Sequence, residues 1–184
     1  MGRHWPDADG YIEWSLTWVD EAMRVLRPDG LLYCFGQLGK REHTFLHLMS
    51  EAVRRWGFHD LINWDRAVGY RERHLAAGRF ATNLWRIPSL KGNFSEKCGH
   101  PAQKPVKLIE RIVLSSSDPG ALVVDPFLGF GTTAVVAEQL GRRWLGIEQS
   151  RIYLRMAQKR IKVKRAERKQ AAEQSKTIEK WSGR

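Results

Sequence analysis

Residues Asp125 to Thr133 read Asp-Pro-Phe-Leu-Gly-Phe-Gly-Thr-Thr, and an acid, Glu148, follows fifteen residues after the last Thr. No other stretch of the chain restricts its fold as strongly. Ala121-Leu122-Val123-Val124 is a short unbroken apolar run, set off on its left by the turn residues Asp118-Pro119-Gly120. Such a run predicts a parallel strand buried on both faces. Gly129, Gly131 and Ala134 fit the spacing G-x-G-x-x-G/A, the residues from Thr132 to Leu140 suit a helix, and Gly141 is placed to cap it. Trp144-Leu145-Gly146-Ile147-Glu148 reads as the next strand, ending in the acid. Glycines let the backbone approach a ligand closely, and a carboxylate at the strand end can accept hydrogen bonds from ribose hydroxyls. The plain alternative is a tight turn in an ordinary α/β protein.

The position of this unit matters as much as its spacing. A nicotinamide or flavin enzyme opens its dinucleotide domain with such a unit, and most of the sheet follows. Here only 36 residues follow Glu148, and they do not read as strands. The rest of the sheet must come from residues before 121, which gives a permuted order. Asp125 and Pro126 directly after the strand also differ from the usual dinucleotide loop.

Asp125-Pro126-Phe127-x-Gly129-x-Gly131-Thr132-Thr133 resembles motif I of the DNA amino-methyltransferases, which methylate adenine N6 or cytosine N4. His100-Pro101-Ala102-Gln103-Lys104-Pro105 resembles motif X, and Gly146-Ile147-Glu148 with Tyr153 and Arg160 resembles the segment after motif I. The order matches the family's β group, and the resemblance spans roughly residues 11 to 161. It implies an α/β, Rossmann-like, S-adenosylmethionine-dependent methyltransferase sheet, with double-stranded DNA as substrate and a bacterial or phage restriction-modification setting. It assigns Asp125, Pro126, Phe127, Gly129, Gly131, Thr132 and Thr133 to the cofactor loop and Glu148 to the ribose hydroxyls. His100, Gln103, Lys104 and Pro105 are assigned to the methionine end of the cofactor. Read alone, Lys104-Pro105 could equally open a helix, and His100 could be a solvated loop residue. Phe130 departs from the small residue, often Ser, that the family carries between the glycines.

Methyl transfer in this family also depends on an Asp/Asn/Ser-Pro-Pro-aromatic motif, whose polar groups accept from the target amino group and whose ring stacks on the flipped base. The chain contains no Pro-Pro pair. His4-Trp5-Pro6-Asp7 is no substitute, having one Pro in the wrong order. The strand carrying that motif lies beside the motif I strand in the family's sheet. The expectation is therefore a sheet incomplete at its N-terminal side, with Met1 an internal start or truncation point and catalysis by this polypeptide impaired. No catalytic residue is assigned. A non-catalytic fragment that binds cofactor or DNA, paired with itself or with a chain supplying the missing motif, is the alternative reading.

Charge supports a polyanionic partner. The net +11 is uneven: residues 151–184 carry +9 and residues 1–150 only +2. A cationic tail would neutralise phosphates without reading sequence, or would be a solvated helical or disordered extension. The expected division is a methyltransferase domain over 1–162 and this basic tail over 163–184. Between Trp64 and Phe80, aromatics alternate with Arg66, Arg71, Arg73 and Arg79, which makes these four arginines DNA-contact candidates, against an ordinary charged loop. Cys34 and Cys98 are too few for a disulfide framework or zinc site, so no metal is expected, and Cys34 is expected to be buried in a strand. No apolar run approaches the roughly 18 residues of a membrane helix, and the N-terminus lacks a secretory pattern, so a cytoplasmic protein is expected. Periodicity predicts helices over Asp9–Arg27, Glu42–Trp56 and Pro105–Leu114, and strands over Leu31–Phe35, Phe58–Trp64 and Thr82–Ile87. A helix from Ser150 should carry only a partial apolar stripe, along Ile152, Met156, Lys159 and Val163.

Overall fold

The computed structural model describes residues 7–36, 44–65, 83–90 and 103–182, with side chains described as far as residue 174. The chain divides into two compact units, Met1–Leu61 and Ile62–Arg184.

In the first unit, α1 (Ala8–Val25) begins where Asp7 caps it, its Oδ1 accepting the Gly10 N–H at 2.7 Å. Leu16 and Val19 are buried, with Ser15 beside them. Helix α2 (Thr44–Trp56) packs on α1, buries Leu48, and pairs Arg55 with Asp20 at 3.1 Å. It stops at Gly57, whose φ of +88° is a conformation that side-chain-bearing residues resist. The expected strand at Leu31–Phe35 does not form, and Cys34 is exposed rather than buried. An apolar run becomes a strand only when a neighbour takes its backbone donors and acceptors, and among the described residues none pairs with this one. The Phe45 ring instead packs directly over Gly36, where a Cβ would lie 2.1 Å from the ring.

The second unit holds two parallel strand pairs. The first pair is β1 (Asn63–Asp65) with β2 (Leu84–Arg86), in the register Trp64 opposite Trp85. The second is β3 (Leu122–Asp125) with β4 (Arg143–Gly146), in the register Val124 opposite Leu145. Helix α3 (Val106–Ser116) serves both. Its Leu108 packs with Trp85 and Ile87, while Ile109 and Val113 pack with Val136 of α4 (Thr132–Gln139). Trp64, the first aromatic of the segment read as a DNA-contact candidate, is part of this core: its indole N–H donates to the Ile87 carbonyl at 2.7 Å.

Helix α4 covers one face of the β3–β4 pair. Leu122 and Leu145 are about half exposed, as are Val124 and Ile147, so among the described residues the apolar run is not buried on both faces as its composition predicts. Apolar content reports the propensity to be covered, and among the described residues α4 is the helix layer that packs on this pair.

Helix α5 (Arg151–Ser182) starts at Ser150, whose Oγ accepts the Tyr153 N–H at 3.4 Å and whose carbonyl accepts the Leu154 N–H. It buries Ala157 and Ile161, not the expected Ile152 and Val163, which are exposed. The face is chosen by fit: α5 must come close to the glycine loop, and Ala157 is the small residue that permits it. The helix runs on through residue 163 without interruption.

Candidate functional site

The glycine stretch is a tight loop between the C-terminal end of β3 and the start of α4. Asp125 opens it, its Oδ1 accepting the Phe127 N–H at 3.0 Å in a short Asx-type turn. Leu128 then donates its N–H to the Ile147 carbonyl at 2.9 Å, and its side chain is buried against Gly146. A Cβ at Gly146 would stand 2.7 Å from Leu128, so that glycine is needed for loop and strand to meet. Gly129 and Gly131 both have positive φ, 52° and 75°, and Gly131 is the N-cap of α4. No side chain caps α4, so its first backbone donors are oriented at the loop with no side-chain acceptor built in.

Glu148 sits just past β4, across from the loop. Its Oε2 accepts the Gly129 N–H at 2.9 Å and its Oε1 accepts the Ser150 N–H at 2.7 Å. The carboxylate therefore ties the loop to the end of β4 and to the start of α5. Each oxygen of an ionised carboxylate has two acceptor positions, so each retains one for an incoming hydroxyl.

The structure brings Asp125, Pro126, Phe127, Gly129, Gly131, Thr132, Thr133 and Glu148 together in this one loop region. Gln103 and Lys104 lie half-buried ahead of α3, and Pro105 is buried as its N-cap, with its carbonyl accepting from Leu108 and Ile109. They lead into the helix that packs on α4. His100 and the four arginines Arg66, Arg71, Arg73 and Arg79 lie outside the described residues. Sequence reasoning named Arg160 only as part of a resemblance. In the structure its guanidinium donates to Thr132 Oγ1 at 2.9 Å and to the Phe130 carbonyl at 3.4 Å, with its Cζ 5.5 Å from the Phe130 ring centre. Phe130 is itself buried, so its ring packs within the fold beside α5. The signal available in the sequence was a basic residue two and a half turns into the helix that follows the acid.

Parallel strand, glycine loop, helix, parallel strand and terminal acid form one α/β unit. The fold is similar to the solved structure of the cytosine-N4-specific PvuII DNA methyltransferase, with a TM-score of 0.66 at 20% identity, covering 85% of this chain and 73% of that one. A family model described as DNA methylase matches residues 68–159. The chain belongs to that family, the DNA amino-methyltransferases. It is 32% identical over 179 residues to the type II methyltransferase M2.DpnII of Streptococcus pneumoniae, a match covering 81% of this chain and 66% of the relative. It is 31% identical over 188 residues to the type II methyltransferase M.HpaI of Haemophilus parainfluenzae, covering 82% of this chain and 59% of the relative. The chain thus spans less than two thirds of the length of these two relatives.

Proposed function

We propose that the protein binds S-adenosylmethionine at the glycine loop and serves the methylation of an exocyclic amino group of a DNA base, adenine N6 or cytosine N4. The observation that carries this reading is the Glu148 carboxylate held 2.9 Å from the Gly129 N–H, at the mouth of an uncapped helix. The residues present fit such a ligand. Glu148 keeps acceptor positions for two ribose hydroxyls, and the glycines at 129 and 131 leave the loop backbone free of side-chain bulk. Asp125, Pro126, Phe127, Thr132 and Thr133 would line the same loop, with Gln103, Lys104 and Pro105 toward the methionine end together with His100. When bound, the cofactor supplies a methyl group activated on a sulfonium sulfur. The chain's own part is to bind and orient: Glu148 fixes the ribose, and the loop fixes the distance between backbone and ligand.

Membership of the family supports DNA as the substrate, and Arg66, Arg71, Arg73 and Arg79 are the proposed phosphate contacts. No helix among the described residues is long and apolar enough to cross a membrane. A second reading is that these 184 residues hold cofactor and DNA, while the Pro-Pro-aromatic motif that accepts from the target amine, which they do not contain, comes from a further segment or a partner chain.

Calorimetry with S-adenosylmethionine tests the first step. Binding is expected for the wild-type chain and a loss of at least tenfold for Glu148→Ala, on the order of 1.4 kcal/mol or more. Equal affinity in both would remove Glu148 from the site. Transfer of labelled methyl groups to DNA then separates the two readings: turnover by the purified chain supports the enzyme, and binding without turnover supports the second reading.

A further inference from the structure

The glycine loop is held from two sides. On one, Glu148 takes the Gly129 N–H. On the other, Arg160 reaches from α5 to the Phe130 carbonyl and the Thr132 hydroxyl, at 3.4 and 2.9 Å. The two contacts fall on either side of Gly131, the residue with φ of +75° that turns the loop into α4. A loop carrying two glycines has many conformations open to it, and only the fraction that matches the bound form can take a ligand.

We infer that Arg160 is a positioning residue that holds the glycine loop in its ligand-accepting form. Phe130 is part of the same device. Its ring is buried, and the guanidinium centre lies 5.5 Å from it. A guanidinium suits this place because it is planar and can lie against an aromatic ring while one terminal nitrogen donates to both acceptors. Thr132 is itself buried, so its oxygen would lose an acceptor bond without replacement if Arg160 were removed. The bulky residue at 130 thus faces α5 rather than the ligand, and it supplies part of the seat for the arginine. Close contact between Gly131 and Ala157, one turn before Arg160, sets the spacing that lets the guanidinium reach.

The inference rests on the proposed cofactor reading, and the experiment separates the two. Binding of S-adenosylmethionine is measured by calorimetry for the wild-type chain and for Arg160→Met, Arg160→Lys and Lys162→Met, each with its melting curve. Lys162 is exposed on the same helix and serves as the charge control. Arg160→Met should bind about tenfold more weakly at a temperature where it is fully folded, because the competent loop population falls by that factor. Arg160→Lys should recover part of the loss, since an ammonium can still donate to these acceptors but has no planar group to set beside the Phe130 ring. Lys162→Met should stay within about twofold of wild type. If Arg160→Met unfolds, Arg160→Lys decides: folded and several-fold weaker supports the role, and unchanged affinity overturns it. Unchanged affinity in Arg160→Met, or an equal loss in Lys162→Met, also overturns it. Failure of the wild-type chain to bind would instead remove the cofactor reading on which the inference stands.

Discussion

Gly131 is constrained in two ways at once. Its φ of +75° disfavours side chains, and a Cβ there would meet the Ala157 Cβ at 3.0 Å. Both the backbone angle and the contact act against substitution. Gly131→Ala should lower stability by about 1–3 kcal/mol, the cost of a strained left-handed residue. Urea unfolding monitored by circular dichroism measures it, and a midpoint unchanged from wild type would show that the loop relaxes freely. Gly141, with the same φ but open space around it, should bear the angular cost alone, which is a useful comparison at equal geometry. Glu148 is different in kind. Its sequence spacing announced a ligand contact, but not that the same carboxylate would take two backbone N–H groups. Spacing along a chain can bring an acid to a strand end, whereas the partners it finds there depend on how the loop folds back over 19 residues.

At the level of elements, the half-exposed face of β3–β4 invites a direct test. Leu145→Lys should leave the melting temperature nearly unchanged, within about 0.5 kcal/mol, as surface changes generally do. It should also reduce fluorescence of an apolar dye and raise the concentration at which the chain stays in solution. A large loss of stability would mean that the face is covered in solution. The strand–loop–helix–strand unit from Leu122 to Gly146 was legible in the sequence because its signals are local: an apolar run, glycines at fixed offsets and a capping glycine. Helices α1, α2 and α3 were legible for the same reason, to within a few residues at their ends. The failures share a cause. Leu31–Phe35 had the composition of a strand without a strand to pair with, and β3 had the composition of a central strand while presenting one face uncovered. The stripe on α5 was assigned by counting large apolar side chains, whereas the packed face centres on the small residue Ala157. Each depends on what a neighbouring element offers, and that information is not carried by the segment itself.

Across the molecule, the basic C-terminal helix does more than add charge. Arg165 pairs with the Glu138 carboxylate, and Arg168 donates to the Glu138 backbone carbonyl at 2.6 Å. Both bonds reach back to the last turn of α4, where carbonyls lack helical partners and cations are favoured. Glu138 also accepts from the Trp144 indole N–H at 3.3 Å, so strand β4 joins the same cluster. Ending the chain after residue 172 should therefore leave stability near wild type, and ending it after residue 162 should cost about 1–2 kcal/mol, the sum of a solvent-screened ion pair and a helix-end hydrogen bond. Thermal melting of the two shortened chains checks this. The salt dependence of DNA affinity, measured on the same pair, should flatten in step with the cations removed. Equal melting temperatures would show that the contacts with Glu138 contribute nothing. For the gene, these contacts set where a premature stop codon can be tolerated: one beyond codon 168 keeps both contacts with Glu138, while one before codon 165 loosens α4, whose other end carries the glycine loop.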